Sequence, residues 1–134
     1  MARGGASKEV VARWEGGLKA TVTVGLFQFV VDEPETSGGT SAGPMPTEYL
    51  LGSLASCYVL ALAWSARKRG IELPADLEVT AQGEYDGPSF ASLTMRVRSS
   101  LDDEQLALLM ESANRVCYVS RTLTTTPTLD VQRG

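Results

Sequence analysis

Residues 46–70 have the sequence PTEYLLGSLASCYVLALAWSARKRG. From Leu50 onward apolar side chains recur at helical spacing, basic residues occupy 67–69, and Gly70 ends the pattern. Cations in a last turn favour the negative end of the helix dipole, and glycine readily adopts the left-handed conformation that ends many helices. We therefore expect a long helix over 47–69. Its apolar residues point in most directions around the axis, which is typical of a helix buried on nearly all sides.

Segments typical of β-strands lie on the N-terminal side of this helix. Residues 10–14, 19–24 and 27–32 are rich in β-branched and aromatic residues and are separated by glycines. They predict an N-terminal β meander. Residues 33–45 are then rich in Pro, Gly, Ser and Thr and have no apolar period, which predicts a long exposed loop that is either mobile or close to a functional site.

The C-terminal half returns to extended structure before a second helix. Residues 77–85 and 90–99 flank an Asp-Gly-Pro turn and predict a hairpin. An acidic first turn at 102–104 begins an amphipathic helix, and 117–123 is a candidate short helix. Residues 125–132 alternate and predict a final strand. The predicted order, β-β-β-α-β-β-α-(α)-β, is that of an α+β protein.

Composition limits the classes of function. The 134 residues, 43% of them apolar, are enough for one packed core, so we expect a single domain over 1–134. The 12 basic residues are scattered and are outnumbered by 16 acidic ones, which argues against nucleic acid as a partner. Histidine is absent, which removes the commonest general base and most zinc ligand sets, so neither a metal nor a cofactor is expected.

The chain also lacks the signals of a secreted or membrane protein. No stretch approaches about 20 unbroken apolar residues, and residues 1–8 contain no apolar signal core. We therefore expect no membrane contact and a cytoplasmic location. In a reducing cytosol the two cysteines would be free thiols or a reversible redox pair rather than a permanent crosslink.

Cys57 and Cys117 are the candidate seat of chemistry. Cys57 lies in the middle of the predicted long helix, where a buried structural cysteine is the simpler alternative, because free cysteine behaves as a small apolar residue. Cys117 is flanked by Arg115 and Arg121 and would open the short helix, and both features favour a reactive thiolate. Core packing is the alternative for Cys117 as well.

Two motifs resemble those of the OsmC/Ohr family of thiol-dependent hydroperoxide reductases. The sequence GPMPTEYLL at 43–51, followed by LASC at 54–57, resembles the first-cysteine helix of that family, and VCYVSRTL at 116–123 resembles its second-cysteine segment. The order of predicted elements between them is similar too, so the resemblance extends over 10–131. It implies an OsmC-like fold in an intertwined homodimer. There the long helices are buried against curved antiparallel sheets, and the thiols lie in pockets at the subunit interface.

The resemblance also implies a chemistry. In such proteins the first cysteine, here Cys57, attacks the O–O bond of an organic hydroperoxide or hydrogen peroxide and becomes a sulfenic acid. The second, here Cys117, condenses with it to a disulfide, which a dithiol reductant, lipoyl-bearing in the family, reduces again. No cofactor takes part. One alternative is an OsmC-like dimer that binds a small molecule or senses redox state without efficient turnover. A third hypothesis is a structural dimer with inert cysteines.

The supporting charges differ from the family pattern. Peroxidase members use an arginine from the meander and a glutamate at the helix start, whereas the corresponding turn here ends in Lys19, which would supply the charge instead. The glutamate position falls on Thr47, and Glu48 comes one residue later. Nine residues of helix rotate by about 900°, so Glu48 and Cys57 project to opposite sides. Glu48 either approaches the partner's site or favours the helix dipole.

Arg121 completes the set of candidate site residues. It would orient the substrate or the thiolate, and a solvated surface charge is the alternative. The aromatic residues that either wall an apolar pocket or make plain core contacts are Tyr49, Tyr58, Trp64 and Tyr118.

Overall fold

The computed structural model of the protein describes residues 4–134. Contacts divide the chain into two compact units, one ending at Leu50 and the other beginning at Leu51, so the division falls inside the long helix. The single domain expected from composition stays a prediction.

The first unit contains the expected meander. Strands β1 (Val11–Trp14), β2 (Lys19–Val24) and β3 (Phe27–Asp32) form one antiparallel sheet in that order, and the bounds of β2 and β3 match the prediction. The register pairs Arg13 with Thr21, so Arg13 lies on the same face as Thr21 and, two residues along β2, Lys19. The meander therefore carries two cations on one face.

The loop over residues 33–45 is built around the Asp32 carboxylate. Asp32 is 1% exposed and accepts hydrogen bonds from the backbone N–H groups of Glu33 (2.8 Å), Thr40 (3.2 Å) and Ala42 (3.1 Å), and from the Thr40 hydroxyl. The hydroxyl bond, followed by the Ala42 N–H, holds the pKa of Asp32 below its ordinary value. The loop packs closely on β3, because a Cβ atom at Gly43 would lie 2.4 Å from the Val30 carbonyl oxygen. The loop is therefore anchored along much of its length.

Replacing Asp32 with asparagine should loosen this loop. The amide keeps one acceptor oxygen and loses the charge, so the N–H groups of Thr40 and Ala42 should exchange with solvent at least about tenfold faster. In the native protein the folded pKa lies below the unfolded one, so this stabilisation is present above about pH 4 and is lost as pH falls through the folded pKa. Hydrogen exchange and thermal unfolding from pH 2 to 7 measure both effects. Glu35→Gln, the same charge change in the same loop, is the control, and an equal response there would contradict the anchoring role.

The long helix, α1, covers Pro46–Arg69, one residue more than predicted. Gly70 follows with a φ of +65°, and the N–H of Ile71 donates to the Ala66 carbonyl at 2.9 Å, which is the bonding of a Schellman end. The predicted C-terminal end is confirmed. The burial predicted on nearly all sides is not reached within this chain, because Leu60 is 67% exposed.

By length and composition alone, α1 is apolar enough to cross a membrane. The expectation of no membrane contact counted unbroken apolar residues, whereas the polar interruptions in α1 before its last turn are mostly small serines, which lower the mean hydropathy only a little. A third of its most apolar window is buried inside the protein, and core helices of soluble proteins pass the same test. Among the described residues α1 is the one such helix, and it is weak support for a membrane span.

The second unit packs a hairpin against helices. Its remaining elements are β4 (Glu78–Asp86), β5 (Ser89–Arg98), α2 (Asp103–Val116) and α3 (Tyr118–Thr124). The Asp102 carboxylate caps α2 by accepting the N–H of Gln105 at 2.9 Å. The core joins residues of α1 and α2, Cys117 and the inward-facing residues of the hairpin; its fully buried members are Tyr58, Ala61, Leu62, Ala66, Leu109, Ala113 and Cys117. The hairpin and the short helix α3 are thus confirmed to within one residue, and the amphipathic helix α2 is confirmed with its acidic start.

The final strand predicted over 125–132 is wrong. This segment forms no strand, and its apolar residues Leu129 and Val131 are each 88% exposed. Alternating residues suit a strand only where a neighbouring strand supplies hydrogen bonds, and Pro127 has no N–H to offer. Among the described residues, this segment pairs with none of the five strands.

Candidate active site

Cys57 and Cys117 lie together in the second unit. Cys117 is fully buried in the core, and Cys57 is partly exposed and packs against the same cluster. Both are free thiols rather than a disulfide. The structure therefore brings together two sulfur atoms that belong to distant parts of the sequence.

Side-chain hydrogen bonds between α1 and α2 hold the elements that carry the thiols. Tyr58 follows Cys57 in the sequence, and its hydroxyl donates a hydrogen bond to the Asn114 side-chain oxygen at 2.7 Å. The Ser65 hydroxyl donates to the Ser112 hydroxyl at 2.8 Å. Burial raises the pKa of Tyr58, so its hydroxyl stays protonated and remains a donor. These bonds fix the approach of the two helices.

Cys117 is the joint between α2 and α3. Its extended backbone, with φ of −74° and ψ of 107°, ends one helix and begins the other. Its N–H donates to the Ala113 carbonyl at 2.9 Å, and its own carbonyl accepts the N–H of Arg121 at 3.1 Å and the Ser120 hydroxyl at 3.2 Å. Cys117 is thus bonded into both helices, which fixes the position of its side chain.

The sulfur of Cys57 faces the start of α3. Val119, Tyr118 and Cys117 are near enough to this sulfur to change its pKa. Burial raises the pKa of Cys57, and the neighbouring Cys117 raises it further, while the backbone N–H groups of Val119 and Tyr118 oppose this. The net direction is upward, so Cys57 is mainly a thiol at neutral pH within this unit.

This differs from the expectation for the two cysteines. The sequence placed the helix start at Cys117, where the flanking arginines would favour a thiolate. In the structure the backbone N–H groups of Val119 and Tyr118, in the first turn of α3, lower the pKa of Cys57 instead. The signal that could have found this is the helix start after Cys117, because the N–H groups of a first turn lie at the positive end of the helix dipole.

Glu48 closes the start of α1. Its Oε1 atom accepts the N–H of Met45 at 2.8 Å, and Glu48 is the third residue of the helix that begins at Pro46. This is the backward bond of a capping box, which satisfies a donor that has no partner within the helix. Of the two roles expected for Glu48, the structure supplies direct contacts for the one at the helix start.

Lys19 lines a cavity of about 350 Å³ on one face of the meander, in the first unit. Arg13 and Glu15 line the same cavity. The sequence pattern did not single out Arg13, because strand alternation alone does not fix the face on which it lies. Lys19 and Arg13 are therefore neighbouring cations within the meander.

Arg121 is exposed on α3, one turn after Cys117. Arg115, before Cys117, pairs with Glu111 at 3.3 Å on the surface of α2. These positions resemble those of solvated surface charges. Among residues 4–134 no group of three or more Cys, Asp or Glu side chains is arranged to hold a metal ion.

A model of the OsmC-like protein family matches residues 38–132, which include both cysteines. The chain belongs to the OsmC-like family. The resemblance noted in the two cysteine motifs is thereby confirmed, and so is the α+β OsmC-like fold.

Relatives of this OsmC-like protein share its fold at low identity. The uncharacterized protein YmaD of Bacillus subtilis is 27% identical over 125 residues, 84% of this chain and 83% of the relative. The OsmC-like protein of Mycoplasma pneumoniae matches over 91% of this chain and 90% of its own, with a TM-score of 0.72 and 18% identity. The organic hydroperoxide resistance protein OhrB of Bacillus subtilis matches over 90% and 93%, with a TM-score of 0.62 and 24% identity. Structural likeness at these identities establishes the fold.

Proposed function

We propose that this OsmC-like protein is a thiol-dependent peroxidase that reduces organic hydroperoxides or hydrogen peroxide. Cys57 is the reactive cysteine and Cys117 the resolving one. The observation that supports this is the position of Cys57 against the buried cluster that contains Cys117, near the backbone N–H groups of Tyr118 and Val119 that lower its pKa. Backbone N–H groups favour the thiolate that attacks the peroxide. A second thiol nearby can then attack the oxidised sulfur and form a disulfide. Membership of a family that includes hydroperoxide resistance proteins agrees with it.

The proposed reaction has two steps on the protein. The Cys57 sulfur attacks the outer oxygen of the peroxide, the O–O bond breaks, and the proton of the thiol leaves with the alcohol or water. Cys57 is then a sulfenic acid, oxidised by two electrons. The Cys117 sulfur attacks that sulfur, a disulfide forms, and the hydroxyl leaves as water. The N–H groups of Tyr118 and Val119 stabilise negative charge on Cys57 while it is a thiolate.

A dithiol reductant completes the cycle in this proposal. It attacks one sulfur of the disulfide, forms a mixed disulfide, and leaves oxidised, so both cysteines return to thiols. Cys57 is the accessible target, because Cys117 is fully buried. A lipoylated protein is the proposed physiological reductant, and the proposed working form is a cytoplasmic homodimer.

The pH profile follows from the raised pKa of Cys57. Its pKa lies above the ordinary value of 9.0, so the thiolate fraction should rise about tenfold for each pH unit between 7 and 8.5. We expect the rate of peroxide consumption, and of Cys57 alkylation by iodoacetamide, to rise in parallel. Site-resolved mass spectrometry measures the alkylation. Rates that are already flat at pH 7 would contradict the raised pKa.

Lys19 and Arg121 enter the proposal as supporting cations. A positive charge near the Cys57 sulfur would offset part of the effect of burial on its pKa. If Lys19 has this role, Lys19→Gln moves the alkylation profile to still higher pH, whereas Lys8→Gln, the same change before β1, leaves it in place. Glu48 is retained as a helix-start residue that supports the position of α1.

The direct test of the proposal is peroxide consumption by the purified protein. With cumene hydroperoxide or hydrogen peroxide and excess dithiothreitol, we expect multiple turnovers that depend on protein concentration. A protein that consumes no peroxide above the background of the reductant would overturn the proposal.

A second function is favoured by the burial of Cys57, which raises the pKa of its thiol. An OsmC-like protein whose thiol rarely ionises would bind a small molecule or sense redox state without efficient turnover. The two functions differ in the speed of the first oxidation. Disulfide formation within seconds of adding one equivalent of peroxide favours the peroxidase, whereas oxidation over hours favours the second function.

A further inference from the structure

A basic cleft lies in the second unit where the last turns of α1 and α2 approach each other. It has a volume of about 450 Å³ and is partly open to solvent. Its lining consists of three cations, a hydroxyl, an aromatic ring and an aliphatic side chain: Lys68, Arg69, Arg115, Ser112, Trp64 and Val116. A cleft of this size admits a small organic molecule.

Contacts within the protein hold the cations at this cleft. The Lys68 ammonium lies 4.7 Å from the centre of the Trp64 ring, a cation–π distance. A guanidinium nitrogen of Arg69 donates to the Ser65 carbonyl and to the Ser112 hydroxyl, both at 3.4 Å. These contacts reduce the freedom that long cationic side chains would lose on binding a ligand.

The hydroxyl of Ser112 is a second, independent feature of the cleft. Ser112 is 5% exposed, and its oxygen accepts hydrogen bonds from the Ser65 hydroxyl and from Arg69. The Ser112 oxygen therefore lies within hydrogen-bond distance of one cation of the cleft and of a second hydroxyl. A hydroxyl group beside three cations matches a ligand that carries oxygen atoms and negative charge.

Helix dipoles explain only part of this arrangement. Cations in a last turn stabilise a helix by about 0.3–1 kcal/mol each, which accounts for basic residues near the ends of α1 and α2. It does not account for their convergence on one cleft in a protein with a net charge of −4. Glu111 pairs with Arg115 at 3.3 Å, and both side chains are well exposed, so this pair is weak and leaves Arg115 free to bind an anion.

We infer that this cleft binds a small organic anion whose phosphate or carboxylate group contacts Arg69, Arg115 and the Ser112 hydroxyl, with an apolar part against Trp64. The guanidinium groups suit oxyanions because their planar fork matches two oxygens at once. Neither cysteine lines this cleft, and the inference does not depend on the proposed peroxidase function.

Calorimetric titration with phenyl phosphate and with benzoate tests the inference, and the two probes separate a phosphate from a carboxylate. We expect saturable binding of at least one probe with a Kd of about 1 mM or tighter, weakened by added salt, and no binding of neutral benzyl alcohol. Fluorescence of Trp64 in a Trp14→Phe background should change over the same concentration range. No saturable signal up to about 10 mM of either probe would overturn the inference.

A matched pair of double variants locates the site. Lys68→Gln with Arg115→Gln removes two cations of the cleft and should weaken binding by at least about tenfold. Arg96→Gln with Arg98→Gln removes two exposed cations of β5, which contact Gln82 and Glu78, and should leave binding unchanged. Equal losses in both would mean that only net charge matters. Cys57→Ser should bind the probe normally, so failure of the peroxidase proposal and failure of this one are distinguishable.

Discussion

Replacing Cys57 with serine should abolish peroxide consumption by the dithiol-reduced protein. The serine hydroxyl does not ionise near neutral pH and cannot form a sulfenic acid, so both the attack and the later disulfide are lost. Removal of a nucleophile commonly lowers the catalytic rate a thousandfold or more, so we expect peroxide consumption at about one thousandth of the native rate or less. The assay is the loss of cumene hydroperoxide in excess dithiothreitol at pH 7 and pH 8.5.

The neighbouring Ser56 gives a control for this variant. Ser56 is exposed on α1 and its hydroxyl donates to the Ser53 carbonyl of the same helix, so Ser56→Ala should keep the native rate. Circular dichroism and thermal unfolding confirm that both variants are folded. A Cys57→Ser protein that still consumes peroxide at the native rate would show that Cys57 is not the reactive residue.

Loss of Cys117 should separate the first oxidation from turnover. In Cys117→Ala, Cys57 should still be oxidised by one equivalent of peroxide, but the product should remain a sulfenic acid that dimedone traps. Steady-state turnover should fall by at least about tenfold, because the reductant then has to attack a sulfenic acid instead of a disulfide. Mass spectrometry of the dimedone adduct and the steady-state rate measure the two effects.

The choice of alanine matters because Cys117 is fully buried among apolar residues. A serine there would bury a hydroxyl and cost about 1–3 kcal/mol if unpaired, so lost activity could reflect unfolding. Alanine leaves a small cavity instead, and the native helical signal verifies the fold. A folded Cys117→Ala protein that turns over at the native rate would show that Cys117 does not resolve the oxidised form.

The elements that could be predicted from the sequence are those that local patterns specify. The helix α1 has a proline at its start, apolar spacing within it and a glycine at its end, and each of these acts within a few residues. The β2 and β3 strands are separated by a glycine turn, which fixes their register. The prediction of a final strand was wrong because an alternating pattern is a local feature, whereas a strand also needs a partner strand that lies far away in the sequence.

The candidate site could be predicted only in part. The two motifs identified the cysteines, but their contact depends on how α1 packs on α2, through bonds such as the one from Tyr58 to Asn114. The role of Asp32 could not be predicted because its partners are backbone N–H groups of a loop. Nearly every residue type carries such a group, so the sequence does not indicate which ones bind the carboxylate. The position of Arg13 depended on a strand register that alternation alone does not supply.

The measurement that tests the central claim most directly is a map of the cysteines after a single oxidation. The fully reduced protein receives one equivalent of cumene hydroperoxide for a few seconds, the remaining thiols are alkylated, and peptides are analysed without reduction. We expect one disulfide that joins Cys57 to Cys117 within a single chain, with little alkylation at either residue. Recovery of both cysteines in alkylated form, or a disulfide between chains instead, would contradict the account.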